Sequence, residues 1–390
     1  MNELKRKKLS EVADIIMGQS PPGSSYNENK EGVPLINGPT EFNNRYPQKI
    51  QWTTEPTKIC NEGDILICVR GSSTGRINIA NDEYCIGRGV AAIRGTTDTS
   101  TTYLEYLLDL EVDKILKLTS GSTFPNITST ALKNISLLYH SKSEQGHVVE
   151  ILSSWDKAIS KTEKLIKAKK RYKKGLVQRL LSGKVRFTEF EGEDWVDVKL
   201  GEVFDRVTEK NESELVKNVL TISAQDGLVS QTDYYNKSVA SKDLSNYIIL
   251  RQGEFAYNKS YSEGYPLGAI KRLDDYGRGV LSPLYICFKL TSDEVDSDFI
   301  THFFEYGGLN HGIYKIAREG ARNHGLLNVS VKDFFEIDLK LPSRKEQVKI
   351  AMLLNEASKE IELLETQLDK YKNQKKGLMQ QLLTGKVRVN

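Results

Sequence analysis

One phrase occurs twice in this sequence: KGLVQRLLSGKVRF at residues 174–187 and KGLMQQLLTGKVRV at residues 376–389. When Gln145 is aligned with Gln347, 17 of 43 positions are identical in one ungapped register. Internal repeats of this length decide architecture, so the chain is predicted to alternate domain, repeat, domain, repeat. The predicted segments are 1–144, 145–187, 188–346 and 347–390.

Both copies carry the apolar periodicity of a long helix. Apolar positions step by four and three from Val148 to Ile166 and from Ile350 to Tyr371, in the same phase. Gly183 and Gly385 follow the last apolar pair, where a left-handed glycine ends a helix. We therefore expect two helices of about 36–38 residues, or roughly 55 Å each. Since the second starts on the second domain, packing along the first makes it return antiparallel.

The two domains are predicted to be mixed. Short β-rich runs such as 64–69, 90–93 and 284–290 alternate with turn clusters, and a helical patch such as 103–118 follows in each. Fainter shared anchors include Gly-Arg-Gly-Val at 87–90 and at 277–280. The expected fold class is α+β: two mixed α/β domains, two long antiparallel coiled-coil helices and a pseudo-two-fold internal repeat.

Charge is concentrated in the repeats. Lys and Arg exceed Asp and Glu by nine in residues 145–187 and by three in 347–390, whereas residues 188–346 carry a net charge of −8. A basic stripe on a near-neutral body suits a polyanion, although a solvated helix face explains it equally well. The basic N-terminus lacks the apolar core of a secretory signal, no run is long enough for a membrane span, and the four cysteines form no C-x-x-C pair. We expect a cytoplasmic protein with free thiols, no bound metal and no membrane partner.

Catalytic motifs are missing from the sequence. The nearest approach to the Asn/Asp-Pro-Pro-aromatic motif of adenine methyltransferases is Asn37-Gly38-Pro39, which lacks the second proline and the aromatic residue. The Gly/Ser-rich loop 71–75 ends without the lysine–hydroxyl pair of a phosphate-binding loop. The five histidines are scattered. The sequence therefore predicts a protein that is not an enzyme and carries no catalytic residues.

These features together resemble the specificity (S) subunit of a type I restriction–modification system. The resemblance rests on the two helix-ending phrases, on the lead-ins Ser143-Glu-Gln145 and Arg344-Lys-Glu-Gln347, and on loop matches such as Met17-Gly-Gln-Ser-Pro-Pro22. It covers essentially the whole chain. One departure is Tyr139-His-Ser141, because the family usually has proline there, as at Pro342; the exact start of the first helix is thereby left open.

The resemblance implies a non-catalytic DNA-binding subunit of a bacterial or archaeal adenine methyltransferase/endonuclease complex that methylates DNA and defends against phage. Residues 1–144 and 188–346 would be target recognition domains, each reading one half of a bipartite, asymmetric site in double-stranded DNA. The repeated helices would space the halves and dock two modification (methyltransferase) subunits, and restriction (endonuclease/translocase) subunits would join. S-adenosylmethionine, ATP and Mg are expected in those partners, with no cofactor in this chain. The specificity subunit of a type II-like system and a coiled-coil scaffold are the alternatives.

Base edges and phosphates are contacted by polar and basic loop residues. The candidates in the first domain are Gln19, Ser20, Asn37, Thr40, Arg70, Ser72, Ser73, Thr74, Arg76, Arg88, Ser122, Thr123 and Phe124. Those in the second domain are Ser223, Gln225, Asn258, Lys259, Ser260, Tyr261, Arg278, Arg318, Arg322, Asn323 and His324. Each has the competing interpretation of an ordinary turn or surface residue.

The helix ends supply the candidate docking residues. They are Leu180, Leu181, Gly183, Lys184, Arg186, Leu382, Leu383, Gly385, Lys386 and Arg388. The basic stretch at 167–174 has three open interpretations, namely a solvated helix face, a contact with the phosphates of the DNA spacer, or a docking surface for the methyltransferase.

Overall fold

The computed structural model describes residues 4–117, 126–235, 243–322 and 326–389. The chain divides into two compact units. Unit 1 comprises Met1–Lys164 and Thr366–Asn390, and unit 2 comprises Leu165–Glu365. Each unit therefore combines one globular part with stretches from both long helices.

Unit 1 begins with fifteen short elements in its globular part. They are β1 (Lys5–Lys8), α1 (Leu9–Val12), β2 (Ala13–Met17), the 3-10 turn Gly23–Ser25, β3 (Tyr26–Asn27), β4 (Val33–Ile36), β5 (Gln51–Thr53), β6 (Ile59–Cys60), β7 (Ile65–Cys68), β8 (Ile77–Ile79), β9 (Tyr84–Ile86), β10 (Val90–Gly95), α2 (Thr101–Lys117), α3 (Ser129–Lys133) and β11 (Ser136–Tyr139). The long helix α4 (Lys142–Leu180) follows and continues into unit 2.

Unit 2 repeats the plan with more elements. They are the 3-10 turn Thr188–Phe190, β12 (Val196–Lys199), α5 (Leu200–Val203), β13 (Phe204–Arg206), β14 (Leu220–Ser223), β15 (Gly227–Ser230), α6 (Gln231–Tyr235), β16 (Ile248–Arg251), β17 (Phe255–Asn258), β18 (Ala269–Arg272), β19 (Arg278–Leu281), β20 (Ile286–Leu290), α7 (Ser297–Tyr306), α8 (Asn310–Ile316), β21 (Arg318–Arg322), β22 (Leu326–Asn328), α9 (Val331–Phe335) and β23 (Asp338–Leu341). The second long helix, α10 (Arg344–Leu383), ends in unit 1.

The central sheets of the two units share one topology. In unit 1 the order is β2-β10-β7-β8, and in unit 2 it is β13-β20-β17-β18, with antiparallel pairing of the neighbours. Unit 1 adds a five-stranded sheet, β3-β5-β4-β9-β6, whereas unit 2 has the hairpin β14-β15 and the pairs β16-β19 and β21-β22. The shared frame therefore carries different additions in each unit, while β1-β11 and β12-β23 lead into the long helices.

The predicted β-rich runs are present as β7, β10 and β20, and the predicted helix is present as α2 through its last described residue, Lys117. The four residues of β7 are all buried, as expected for a central strand. Tyr103, Leu104 and Leu108 on α2 pack in the same core as Ile65. In unit 2 the core is aromatic, since Phe204, Phe255 and Phe288 from three neighbouring strands contact one another at centroid distances of 5.2–5.7 Å.

Each long helix ends inside a core. Leu180 and Leu181 of the first repeat are buried in the core of unit 2, and Leu382 and Leu383 of the second in that of unit 1. Gly183 and Gly385 have left-handed φ values of 67° and 71°, as predicted. The chain then leaves without forming a strand.

The two long helices run antiparallel where they pack in unit 1. Asp156 accepts a hydrogen bond from Lys375 Nζ at 2.6 Å. Two turns further along α4, Glu163 pairs with Lys372 at 2.9 Å. Trp155 and Tyr371 meet edge to face at 5.7 Å. Helices α4 and α10 start at equivalent positions of the repeat, 142 and 344, so histidine in place of proline does not move the helix start. No helix in the described ranges is sufficiently long and apolar to cross a membrane.

Candidate nucleic-acid interface

An open cleft of about 570 Å³ lies in unit 1, where four loops meet. It is lined by Ser20, Tyr26, Asn37, Gly38, Pro39, Arg70, Gly71, Arg88 and Gly89. Four of these nine residues, namely Ser20, Asn37, Arg70 and Arg88, were candidates from the sequence. The structure thus brings together polar residues that are up to 68 positions apart in the chain.

Backbone hydrogen bonds join the loops around this cleft. Gly87 N donates to Ile36 O at 2.8 Å, and Val69 N donates to Gly89 O at 2.9 Å. Ser20 Oγ accepts a hydrogen bond from Arg88 N at 3.2 Å. Arg88 therefore sits on a loop whose main chain is fixed from three sides, and a fixed main chain limits where its side chain can reach.

Glycines permit the close approach of these loops. A Cβ on Gly87 would lie 2.1 Å from Asn37 Oδ1, and a Cβ on Gly89 would lie 2.3 Å from Asn37 O. A Cβ on Gly18 would lie 2.2 Å from Gly87 O. Any side chain at these positions would force the loops apart.

Asn37 is part of the cleft floor. Its Nδ2 donates to Gln51 Oε1 at 3.3 Å, and its Oδ1 packs against the backbone at Gly87. Because its amide is engaged within the protein, Asn37 helps to position the cleft, while its contact with a base stays a prediction. Tyr26, which follows the turn 23–25, was not predicted; an aromatic residue directly after a polar loop was the available signal.

Arg70 and Arg88 give the cleft its charge. Both side chains are exposed, and neither makes an ion pair with the residues the structure describes. Two guanidinium groups that share one concave surface repel each other unless an anion or several acceptors lie between them. The cleft is therefore suited to an acceptor-rich or anionic ligand such as DNA.

The other predicted residues of unit 1 that the structure describes line no part of this cleft. Gln19, Thr40 and Ser72 are exposed on adjoining loops, and Ser73 is half-buried in the turn after Arg70. One prediction needs correction, because Thr74 is buried with its Oγ1 donating to Gly71 O. Arg76 is exposed and donates to Phe42 O at 2.9 Å, and its contact with DNA stays a prediction. Both residues stabilise loops. Ser122, Thr123 and Phe124 lie outside the described residues.

The corresponding loop of unit 2 follows β17. Asn258 Oδ1 accepts from Ser260 N at 3.0 Å, which forms a tight turn, and Tyr261 is exposed. Leu327 N donates to Lys259 O at 3.0 Å, so the hairpin β21-β22 lies beside this turn. In unit 1 the equivalent loop is held in the same way, because Ile127 N donates to Val69 O at 2.8 Å. The turn 258–261 therefore occupies the position in unit 2 that the loop from Val69 occupies in unit 1.

The structure places two of the predicted loop residues of unit 2 within strands. Ser223 is buried, and its Oγ donates to Asp226 Oδ2 at 2.7 Å, which closes the turn between β14 and β15. Arg278 lies within β19, opposite Arg251, whereas Arg88 lies in a loop between β9 and β10. The two Gly-Arg-Gly-Val phrases therefore belong to different elements and are not equivalent. The backbone of Arg318 and Arg322 forms β21, while Asn323 and His324 lie outside the described residues.

A second open cleft, of about 490 Å³, lies in unit 2 and includes Gln225. Its wall carries a half-buried network in which Lys271 Nζ donates to Glu305 Oε1 at 2.5 Å and Tyr265 Oη donates to Glu305 Oε2 at 2.6 Å. Burial and this carboxylate raise the pKa of Tyr265 well above its usual range, so the phenol stays protonated. Because acids and bases are paired here, the cleft has less uncompensated positive charge than the one in unit 1.

Both helix-ending phrases make the same ion pair. Arg186 donates through Nε and Nη2 to both carboxylate oxygens of Glu346 in unit 2, at 2.9 and 2.5 Å. Arg388 donates through Nε to Glu144 in unit 1 at 2.7 Å. Burial raises the pKa of Glu144, but the hydrogen bonds from Arg388 and Ser141 outweigh it and leave the pKa below its usual value. The arginine of each phrase therefore ties a helix end to the lead-in of the other copy.

The lead-in glutamines also repeat their contacts. Gln145 Oε1 accepts from Ser100 N at 3.0 Å, and Gln347 Oε1 accepts from Asp296 N at 2.9 Å. Each Nε2 donates to the carbonyl five residues earlier in the chain, at 3.0 and 2.9 Å. The residues shared by the repeats thus have intramolecular roles, which the docking interpretation did not anticipate.

This arrangement corrects the docking prediction in part. The side chains of Leu180, Leu181, Leu382 and Leu383 are buried and cannot meet a partner. Arg186 and Arg388 are engaged in ion pairs, and Gly183 and Gly385 end the helices. Lys184 and Lys386 are exposed, as are the following residues Val185 and Val387. These exposed pairs present the same chemistry in both units.

The basic stretch 167–174 is partly neutralised. Lys169 pairs with Glu360 at 2.7 Å, and Lys170 pairs with Glu365 at 2.6 Å. Lys167, Arg171 and Lys174 are exposed. These three, together with the half-buried Lys173 at the edge of the unit 2 cleft, remain as candidates for a contact with phosphate or a partner.

The described ranges contain no cluster of three or more His, Cys, Asp or Glu that could hold a metal ion. All four cysteines are buried. Burial raises the pKa of Cys60 to about 12 and that of Cys68 to about 11, which keeps these thiols protonated and weakly reactive.

Comparisons of the sequence with known proteins find specificity subunits of type I restriction systems. Residues 1–170 match the family model described as type I restriction modification DNA specificity domain. The putative type I restriction enzyme MjaX specificity subunit of Methanocaldococcus jannaschii is 38% identical over 173 residues, which are 44% of this chain and 40% of that relative. The MjaVIII specificity subunit of the same organism is 25% identical over 352 residues, covering 85% of this chain and 80% of the relative.

A solved structure extends the likeness in fold. The type I restriction–modification S subunit from M. genitalium aligns with 98% of this chain and 97% of its own, with a TM-score of 0.60 and 15% sequence identity. At this identity the match concerns the fold alone. In sequence and in fold, this chain is similar to the specificity subunits of type I restriction–modification systems.

Proposed function

We propose that this chain is the DNA sequence-specificity subunit of a type I restriction–modification complex. The observation that carries the proposal is the cleft of unit 1, where Arg70 and Arg88 converge and neither forms an ion pair with a described residue, within the part of the chain that matches the family model. Donor groups fixed on rigid loops are what reading an acceptor-rich surface requires.

Each globular part would act as a target recognition domain. Residues 1–144 and 188–346 share a central sheet but differ in their added strands and loops. A constant frame with two different surfaces is what a bipartite, asymmetric target requires, because each half needs its own reader. The long helices, of 39 and 40 residues, would correspond to the unread spacer as an antiparallel coiled coil.

Docking of two methyltransferase subunits is assigned to the exposed residues of the helix ends. Lys184 and Lys386 occupy the same position of the repeat and are both exposed. A surface that recurs in both units suits two copies of one partner. The restriction subunits, and the cofactors S-adenosylmethionine, ATP and Mg, would belong to the rest of the complex, so this chain contributes recognition and no catalytic group.

The decisive experiment maps methylated adenine in cells that contain the modification subunit with and without this chain. We expect methylation at one bipartite motif only when the chain is present. Methylation that is unchanged by removing the chain would contradict the proposal. Methylation at a continuous motif by a two-component enzyme without a translocase would instead identify a type II-like system.

The phosphate interpretation of the basic stretch has its own test. Replacing Lys167, Arg171 and Lys174 with glutamine should flatten the dependence of log affinity on log salt by about 0.9 for each lost contact. Lys169→Gln with Lys170→Gln is the matched control, since these lysines already pair with glutamates. Equal slopes for all proteins would exclude a phosphate contact.

A further inference from the structure

We infer that Arg70 and Arg88 recognise guanine in the half-site read by unit 1, each through the major-groove edge of one base pair. This inference rests on the proposed function and assigns a chemical identity to part of the target. It predicts that the half-site contains guanine, and it names the side chains that enforce that choice.

The first argument is an inventory of arginine side chains in unit 1. Five of the seven are engaged by acceptors in the protein. These five are Arg6 with Ser136 O, Arg45 with Glu105, Arg76 with Phe42 O, Arg94 with Asp64, and Arg388 with Glu144. The two that have no such partner among the described residues both line one cleft. The two arginines without a partner among the described residues lie in the same cleft, which indicates that they share one external ligand.

The second argument is rigidity. Gly89 O accepts from Val69 N, which places the residues just before Arg70 and just after Arg88 side by side. Asn37 fills the space that a side chain on Gly87 or Gly89 would need. Discrimination between bases requires donors placed to within a fraction of an ångström, whereas a phosphate contact tolerates a mobile side chain. Such close packing beneath two exposed arginines favours base reading.

The third argument is donor and acceptor chemistry. A guanidinium group only donates, and its fork matches the two acceptors O6 and N7 that guanine alone presents in the major groove. Adenine is read bidentately by an amide, and the amide in this cleft, that of Asn37, is engaged with Gln51. The hydroxyl of Ser20 is likewise engaged by Arg88 N. The two arginines are therefore the side chains of this cleft whose donor pattern matches one particular base, and that base is guanine.

The test uses the complex of the full chain with its modification subunit. The methylation motif is mapped for the unaltered chain and for Arg70→Ala, Arg88→Ala and Arg6→Ala. We expect guanine at two positions of one half-site, each relaxed by one of the two cleft substitutions, while the other half-site stays unchanged. Arg6→Ala is the matched control, because it removes the same charge from an exposed strand outside the cleft.

Binding measurements separate base reading from phosphate contact. With duplexes that differ at one position, Arg88→Ala should reduce the preference for guanine over adenine by about 5- to 150-fold. Arg88→Lys keeps the charge but loses the fork, so it should lower this preference while leaving the salt dependence unchanged. Arg88→Lys also tests the inference if Arg88→Ala fails to fold.

Opposite outcomes overturn the inference. A mapped motif without guanine in either half-site, or variants that weaken binding to all duplexes equally, would show that these arginines contact phosphate. If the unaltered chain directs no methylation at all, the proposed function fails instead, and the two failures are thereby distinguishable.

Discussion

Removing Arg186 should destabilise unit 2 strongly, because it would leave a carboxylate buried without its partner. The side chain of Glu346 is 1% exposed and that of Arg186 is 16% exposed. Breaking a buried ion pair from one side costs about 3–5 kcal/mol. Glu346 lies in the first turn of α10, where the helix dipole stabilises a negative charge by about 0.3–1 kcal/mol and so offsets part of this cost. Arg186→Ala should therefore lower the free energy of unfolding by about 2–4 kcal/mol.

Trp195 provides the assay. Its ring lies 3.4 Å from the position that a Cβ on Gly183 would take, and Trp195 is close in sequence to Arg186 of the ion pair. Of the three tryptophans, Trp52 and Trp155 belong to unit 1, so replacing both with phenylalanine leaves a reporter in unit 2. Urea unfolding followed by Trp195 fluorescence then gives the free energy of unfolding from the midpoint and slope.

The matched pair in unit 1 gives an internal comparison. The side chains of Arg388 and Glu144 are 29% and 15% exposed, so water reaches the carboxylate when the arginine is removed. Arg388→Ala should cost about 1–2 kcal/mol, less than Arg186→Ala. The apolar double replacement Arg186→Met with Glu346→Leu should recover most of the stability. A loss below about 1 kcal/mol for Arg186→Ala, or a double-mutant coupling energy near zero, would refute this reasoning.

Three further predictions concern pH, the cleft floor and docking. Burial lowers the pKa of His140 from its ordinary 6.5, so the unfolded chain takes up the proton before the folded one does. The free energy of unfolding should therefore fall as the pH drops below about 6.5. Urea unfolding should show that His140→Gln removes this part of the loss. Gly89→Ala should lower the free energy of unfolding by about 1–3 kcal/mol and weaken DNA binding, because its Cβ would lie 2.3 Å from a backbone carbonyl oxygen. Gly23 has open space around it, so Gly23→Ala should change neither quantity in unfolding and binding assays. Lys184→Glu with Lys386→Glu should reduce co-purification of the methyltransferase subunit without lowering stability, and unchanged co-purification would contradict the docking assignment.

Much of the architecture is local in origin and was predictable. The apolar periodicity of the repeats predicted one long helix in 145–187 and another in 347–390, each closed by a glycine, and the structure has α4 and α10 there with left-handed Gly183 and Gly385. The run at 64–69 predicted the buried strand β7. These predictions held because helix periodicity, glycine stops and apolar strands are properties of neighbouring residues.

The roles of single polar residues were less predictable. Asn37, Thr74 and Ser223 carry the same functional groups as base readers, but each is engaged by the protein itself. Arg278 was expected in a loop because its neighbours match those of Arg88, yet the register of β19 places it in a strand. The partner of a side chain depends on loops distant in sequence, and a residue list does not reveal it.

The sequence by itself determined the duplication, the long helices and the division between a constant frame and differing surfaces, because repetition and periodicity are written along the chain. Only the tertiary structure decided what the repeated phrase does. Its leucines fill a core and its arginines, Arg186 and Arg388, pair with Glu346 and Glu144 across more than 150 residues. Only the tertiary structure brings Arg70 and Arg88 to one cleft, through main-chain bonds between separate loops, and it gives neither of them an ion pair with a described residue.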